Sequence, residues 1–377
     1  MNARVPFLDL VSQQAEIASE VLPRWQQLFE SSSFIGGPPV DDFEREFAAY
    51  CGAGHAVGVA NGTDAIELAL RAIGVEPGAE VIIPVNTFIA TAEAVSRIGA
   101  RPVFVDVDPE HLLIDPEAVE AALTPRTRAI VPVHLYGQVA PVDRLLPVAA
   151  AAGVPIVEDN AQAQGASSAA GRTGSLATIA ATSFYPGKNL GAAGDAGAVT
   201  TDVAELADAV RTLGAHGSAV KYVHDRVGMN SRLDAVQAVV LSAKLRRLDE
   251  WNARRRAAAD HYGELLATVD GVDAPSAVAG TTPVWHLYVV QVDERDGVLA
   301  GLAERGVSAA IHYPTPLHLT DAYAGSHGGR GAFPVAEAAS DRILSLPMFP
   351  HLERGQQQYV VEQLAATVAR GASKLRV

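Results

Sequence analysis

The chain has 377 residues, which suits two domains or one large domain with an appendage. Hydrophobic residues make up 49% and charged residues 19%, enough apolar material for a core and no basis for disorder. With 29 Lys and Arg against 43 Asp and Glu the net charge is −14, a surface that repels phosphate backbones and anionic lipid and argues against nucleic-acid and membrane-surface roles.

The start of the chain, MNARVPFLDLV, lacks a basic region followed by an apolar one, so no signal peptide is expected. The longest apolar stretch, 145–157, holds two prolines and a glycine and is too short to span a bilayer. A single cysteine, Cys51, excludes an intrachain disulfide framework and any cysteine-built zinc or iron–sulfur site, so no metal is expected and the location is read as cytoplasmic.

Short apolar runs then alternate with helical patterns. Strands are predicted at 57–60, 80–85, 102–107, 129–135, 154–158, 179–184 and 196–200. Ile66, Ala69, Leu70 and Ile73 follow helical spacing, and 142–152 is a second apolar-rich helical segment. Strands alternating with helices predict a mostly parallel seven-stranded sheet covered on both faces. From residue 230 the pattern changes. Residues 231–267 read as one long helix, followed by a loop rich in Pro, Gly and Ala at 271–283. A strand at 285–292, a helix at 298–305, a short strand at 308–313 and a C-terminal helix at 355–369 complete a smaller α+β unit. The expected division is 1–240 and 241–377.

Four segments carry chemistry, each beside a plainer reading. Asn61-Gly62-Thr63-Asp64 lies between a strand and a helix, where free N–H groups suit a phosphate. The same segment reads as simple capping, with Asp64 and Glu67 as a capping box. Glu158-Asp159 ends an apolar strand, where a carboxylate can hold a cationic ring nitrogen or a metal, or merely cap the next helix. Lys188 stands between a strand end and the open loop GAAGDAGA; partial burial would lower its pKa and make it nucleophilic, while an exposed surface lysine is the bland alternative. Phe88 follows another strand end and reads either as a stacking ring or as core. No P-loop surrounds Gly187-Lys188, and no G-x-G-x-x-G follows a strand, which excludes a dinucleotide-binding dehydrogenase.

A phosphate cup, a stacking aromatic, an acid for a pyridinium nitrogen and a Schiff-base lysine are together the parts of a pyridoxal-phosphate enzyme. At this point the chain resembles the sugar aminotransferases of the DegT/DnrJ/EryC1/StrS type, in the aspartate-aminotransferase fold superfamily. The matching segments are PFLDL (6–10), NGTDAIELAL (61–70), VIIPVNTFIATAEAV (81–95), PVHLYGQ (132–138), VEDNAQAQGA (157–166), SFYPGKNLGAAGDAGAV (183–199) and GMNSRLDAVQAVVL (228–241). The resemblance implies a three-layer α/β large domain with a smaller C-terminal α+β domain. It implies pyridoxal 5'-phosphate as cofactor and Lys188 as the residue that bonds it and shuttles the proton. It gives Asp159 to the ring N1–H and Phe88 to the ring face. Gln162 would lie on the other face or near the ring hydroxyl, and Gly62, Thr63 and Ser183 would bind the phosphate. Asn230, in the G-x-N-x-R segment, would reach the phosphate of a neighbouring subunit, implying a homodimer with shared sites.

Asn160 and Gln164 stand where relatives often have Ala and His, and neither is a primary cofactor contact. Relatives that replace the lysine with histidine dehydrate instead, so Lys188 favours transamination. The segment AAIHYPTPLHL (309–319), with SAVKY (218–222), resembles the branch that aminates thymidine-diphosphate-linked keto-6-deoxyhexoses, at C3 rather than C4. L-Glutamate is the implied donor. Lys221 would meet the diphosphate, and Tyr185, His312, Tyr313 and His318 the sugar or nucleotide; each histidine reads equally as structural. The alternatives are a 4-keto-sugar or cyclitol aminotransferase and a non-catalytic regulatory homologue.

Overall fold

The computed structural model describes residues 4–325 and 328–374. Seven strands form one continuous sheet. Arg101–Val105, Glu80–Pro84 and Thr127–Ile130 pair in parallel, and parallel bridges Ile130–Ile156 and Val133–Asp159 carry the sheet on to Val157–Asp159. Ile179–Ser183 continues it in parallel, and Gly197–Thr201 then runs antiparallel between Ile179–Ser183 and the edge strand His55–Val59. Six strands therefore share one direction. All seven fall where the apolar runs predict them, shifted by a few residues at their ends.

Alternation along a strand sends side chains to two apolar layers. Val81 and Ile83 face helices Gly62–Ala72, Ile89–Arg97 and Ala204–Gly214. Ile82 faces Pro116–Ala122 and Val142–Ala152. At the other end of the sheet Phe43 and Phe47, from Pro38–Cys51, pack edge-on against Phe184, and this layer takes in Leu10–Ser31 and Ala235–Leu245. Being buried on both faces explains why the strands read as nearly continuous apolar runs.

The predicted helix at 231–267 is two helices, Ala235–Leu245 and Leu248–Leu266. They part at Arg246 and Arg247, and the apolar stripe changes partner only further along the second helix: Val239 to Trp251 serve the N-terminal helices, and Ala258 to Leu266 serve the C-terminal core. That core lies under a three-stranded antiparallel sheet ordered Val272–Asp273, Tyr288–Val292 and Ile343–Leu346. Helices Arg295–Glu304 and Arg354–Lys374 pack beside it. The strand expected at 308–313 is reduced to an isolated bridge, Ala310–Ser345; its place in the sheet belongs to Ile343–Leu346, hidden in the sequence by Pro347 just beyond it. Among the described residues no helix is long and apolar enough to cross a membrane.

Arg255 ties these parts together. Its side chain is fully buried, and Nη1 donates to the carbonyls of Trp285, His286 and Met348 at 3.3, 3.4 and 2.9 Å. Burial lowers its pKa to about 9. Arg255→Met keeps the stem and strands the three carbonyls, so about 3 kcal/mol of stability should be lost. Thermal unfolding of the purified protein should show a midpoint lower by roughly 5–10 °C.

Candidate active site

Parallel strands place their carboxyl ends along one edge, and the loops that follow enclose a cavity of about 710 Å³ there. Gly62, Thr63, Phe88, Asp159, Gln162, Ser183, Tyr185, Lys188, His312 and Tyr313 all line it. The separate strand-end signals thus meet in one place.

The helix Gly62–Ala72 starts at this edge. Its cap is Asn61, whose Oδ1 accepts from the Asp64 N–H at 2.8 Å, not Asp64 as the capping-box reading has it. Asp64 and Glu67 instead pair with Arg97 at 3.1 and 2.9 Å. The first N–H groups of this helix, which have no partner within it, belong to Gly62 and Thr63, and both residues line the cavity with Ser183. A Cβ at position 62 would lie 2.5 Å from Ser183 Cβ, so only glycine lets the helix start meet the strand end. This cradle suits a phosphate.

Asp159 is buried at the end of the neighbouring strand, Val157–Asp159, which pairs with Ile179–Ser183. Thr91 donates to Oδ2 at 2.8 Å and the Ala161 N–H to Oδ1 at 3.1 Å. Burial raises its pKa, opposed by these bonds and by the charge of Lys188. A desolvated carboxylate with lone pairs to spare fits a cationic ring N–H. Lys188 follows a turn, Tyr185–Lys188, with Pro186 at its second position and the Lys188 N–H on the Tyr185 carbonyl at 2.8 Å. Burial lowers its pKa to about 8, opposed by Asp159. The residues present therefore fit pyridoxal phosphate: a glycine-walled anion cup, a buried acid and a lysine softened toward nucleophilicity.

Gln162 is committed to protein groups. Its Oε1 accepts from the Tyr136 N–H at 2.7 Å and its Nε2 donates to the Tyr313 hydroxyl at 3.1 Å. Tyr136, in turn, donates its hydroxyl to the His312 carbonyl at 2.7 Å. His312 stacks on Phe7 and bonds Ser345 through Nδ1 at 2.8 Å; burial and the charge of Lys188 lower its pKa to about 4. Phe88, half exposed, meets Tyr313 at 5.4 Å between ring centroids.

Three expected residues lie elsewhere. His318 is buried, with Nε2 at 3.0 Å from Glu337, and does not line the cavity, a correction to its expected role; it is a core histidine in a loop anchored by Glu337. Lys221 sits over the Tyr222 ring in an exposed segment, and Asn230 is exposed at that segment's end; neither lines this chain's own cavity. Phe7, Asn61, Thr91 and His286 also line it. Thr91 stands three residues after Phe88, one helical turn on, a spacing from which it was legible; His286 opens an apolar strand and gives no sign of its own.

The fold and this lysine-bearing cleft define the class of cofactor-dependent aminotransferases. The DegT/DnrJ/EryC1/StrS aminotransferase family matches residues 15–365, and the chain belongs to that family. It is 48% identical over 359 residues to the dTDP-3-amino-3,4,6-trideoxy-alpha-D-glucose transaminase of Streptomyces venezuelae, covering 95% of each chain. To the UDP-N-acetyl-3-dehydro-alpha-D-glucosamine 3-aminotransferase of Acidithiobacillus ferrooxidans it is 44% identical, covering 98% of each. The crystal structure of S. venezuelae DesV in complex with a ketimine intermediate superposes with a TM-score of 0.94 at 47% identity, over 96% of this chain and 98% of that one.

Gly62→Ala should force the helix start away from Ser183, at about 1–3 kcal/mol. Titration of the cofactor-free protein with pyridoxal phosphate, followed by visible absorbance, should then show affinity weakened roughly 10- to 100-fold.

Proposed function

We propose that this protein is a pyridoxal-phosphate-dependent aminotransferase that moves the amino group of L-glutamate to the C3 ketone of a dTDP-linked keto-6-deoxyhexose. The observation that carries the reading is the meeting of Lys188, Asp159 and the Gly62 cradle in one cavity large enough for a cofactor and a sugar nucleotide. Relatives named for amination at C3, on both dTDP and UDP sugars, support the position.

When bound, the cofactor supplies an electron sink for the carbon that gains or loses the amine. Asp159, its carboxylate aimed by Thr91 and the Ala161 N–H, would hold the ring nitrogen protonated. Gly62, Thr63 and Ser183 would hold the phosphate, and Phe88 would cover one ring face. Lys188 would be the residue that holds the cofactor covalently, and its amine, buried in the cavity with a lowered pKa, would take up and release the proton of the transfer. Its low pKa keeps a useful fraction neutral near pH 7. Tyr313, aimed by Gln162, and His312, aimed by Ser345, offer hydrogen bonds to the sugar, with Tyr185 at the rim. His312 is neutral at physiological pH, which suits a hydroxyl better than a phosphate.

Asn230 and Lys221 lie away from their own cavity on an exposed segment bearing Val220, Tyr222, Val223 and Val227. We infer a homodimer in which this segment reaches the partner's site, Asn230 to the cofactor phosphate and Lys221 to the diphosphate. We further assign residues 1–240 to the cofactor-binding domain, 241–377 to a smaller one, and the protein to the cytoplasm, where glutamate and sugar nucleotides meet.

The purified protein with pyridoxal phosphate should be yellow and should bleach with L-glutamate, whereas Lys188→Ala should bind cofactor without turnover; full activity in that variant, assayed with dTDP- and UDP-linked 3-keto sugars, would sink the assignment. For the shared site, dimers mixing Asn230→Ala and Lys188→Ala chains should keep one intact site in two. Activity that ignores how the two substitutions are distributed would contradict the dimer.

A further inference from the structure

The cavity holds a second basic group that the reading above leaves without a task. His286 lines the cleft with Lys188, and a chain of amides decides which of its nitrogens carries hydrogen. The chain starts at the carbonyl of Gln164, which only accepts, so the Asn252 atom 2.9 Å away is its NH₂. The Asn252 oxygen therefore faces Asn189, at 2.9 Å. The same Asn189 nitrogen also meets the Val284 carbonyl at 3.1 Å, which independently fixes it as a donor. The Asn189 oxygen is left 3.1 Å from His286 Nδ1, and an oxygen there requires Nδ1–H.

Nε2 then keeps its lone pair. Among the described residues it has no hydrogen-bond partner, and the ring lies on the cleft wall. Burial first, then the charges of Lys188, Arg255 and His312, hold the ring well below its ordinary pKa, so it is neutral at pH 7. The Lys188 amine lines the same cleft and its charge acts on the ring, so a turn of the lysine side chain toward the wall would bring this acceptor a donor.

We propose that His286 is a positioning residue for Lys188, its Nε2 accepting a hydrogen bond from the Lys188 nitrogen so that the amine's lone pair is turned toward the substrate carbon. The role extends through Asn189, the residue next to the lysine, so one loop carries both the reacting amine and the anchor of the group that aims it. No bond is made or broken at His286. The inference rests on Lys188 being the reactive amine, as proposed above.

The test begins with borohydride reduction of the wild-type protein loaded with pyridoxal phosphate, followed by peptide mass analysis. Failure to find the label on Lys188 would overturn the functional reading and this inference with it. Two further measurements address His286 alone. Ring ¹⁵N resonances of the full-length, histidine-labelled protein at pH 7 should show one neutral ring with hydrogen on Nδ1, absent from His286→Gln; a hydrogen on Nε2 there would overturn the proposal. The pH dependence of reductive methylation at Lys188 in the cofactor-free chain is the second. His286→Leu removes an acceptor that favours the ammonium, so the midpoint should move down by about one pH unit, tenfold in proton affinity. His286→Gln, whose amide oxygen reaches the place of Nε2, should restore it. Equal midpoints in all three proteins would overturn the proposal, because a purely structural histidine would leave the Lys188 titration unmoved.

Discussion

Six parallel strands that stop along one edge are the constraint on which the rest of the structure depends. Parallel strands need crossover connections, so the residue after each strand opens a loop or a helix on the same side of the molecule. Residues a hundred positions apart, such as Thr63 and Asp159, become neighbours with no contact of their own to draw them together. The two apolar layers supply the energy, and the cavity is what the loops leave over.

Within that cavity, exclusion of water sets the chemistry. Burial acts on Asp159 and Lys188 in ways that favour the neutral form of each, while their mutual attraction works against it. The site is therefore poised rather than saturated: a cationic ring brought beside Asp159 repays its desolvation, and Lys188 stays close to the pH at which it can both give and take a proton. His286 and His312 are held neutral by the same burial, so the wall offers directed lone pairs and N–H groups rather than extra charge.

The sheet, its order along the chain and the strand-end residues that line the cavity were legible because each depends on local pattern. Apolar runs mark strands buried on both faces, and Gly62, Asp159 and Lys188 each follow such a run. The break at Arg246–Arg247 was not legible, since both halves are good helix and the apolar stripe runs across it to Trp251 in one core. His318 reads like His312 in the sequence; one meets Ser345 at the cavity wall and the other Glu337 in the core, a difference set by loop geometry. Gln162 lines the cavity, but the bond from the Tyr136 N–H that turns it toward Tyr313 comes from a residue 26 positions away. His286 is the extreme case: its tautomer is decided by carbonyls and amides on four separate segments.

The close approach of Gly62 to Ser183 has a counterpart at Gly197, where a Cβ would meet the Asn61 carbonyl oxygen at 2.5 Å. Together they divide the molecule into positions that can drift and positions that cannot. At the cradle a single methyl group is already too much, so new sequences arising by mutation are filtered there before any question of substrate arises. The rim residue Tyr185, more than half exposed, faces no such filter. A lineage descended from this chain is thus free to explore new acceptor sugars one rim side chain at a time while inheriting its cofactor cup unchanged.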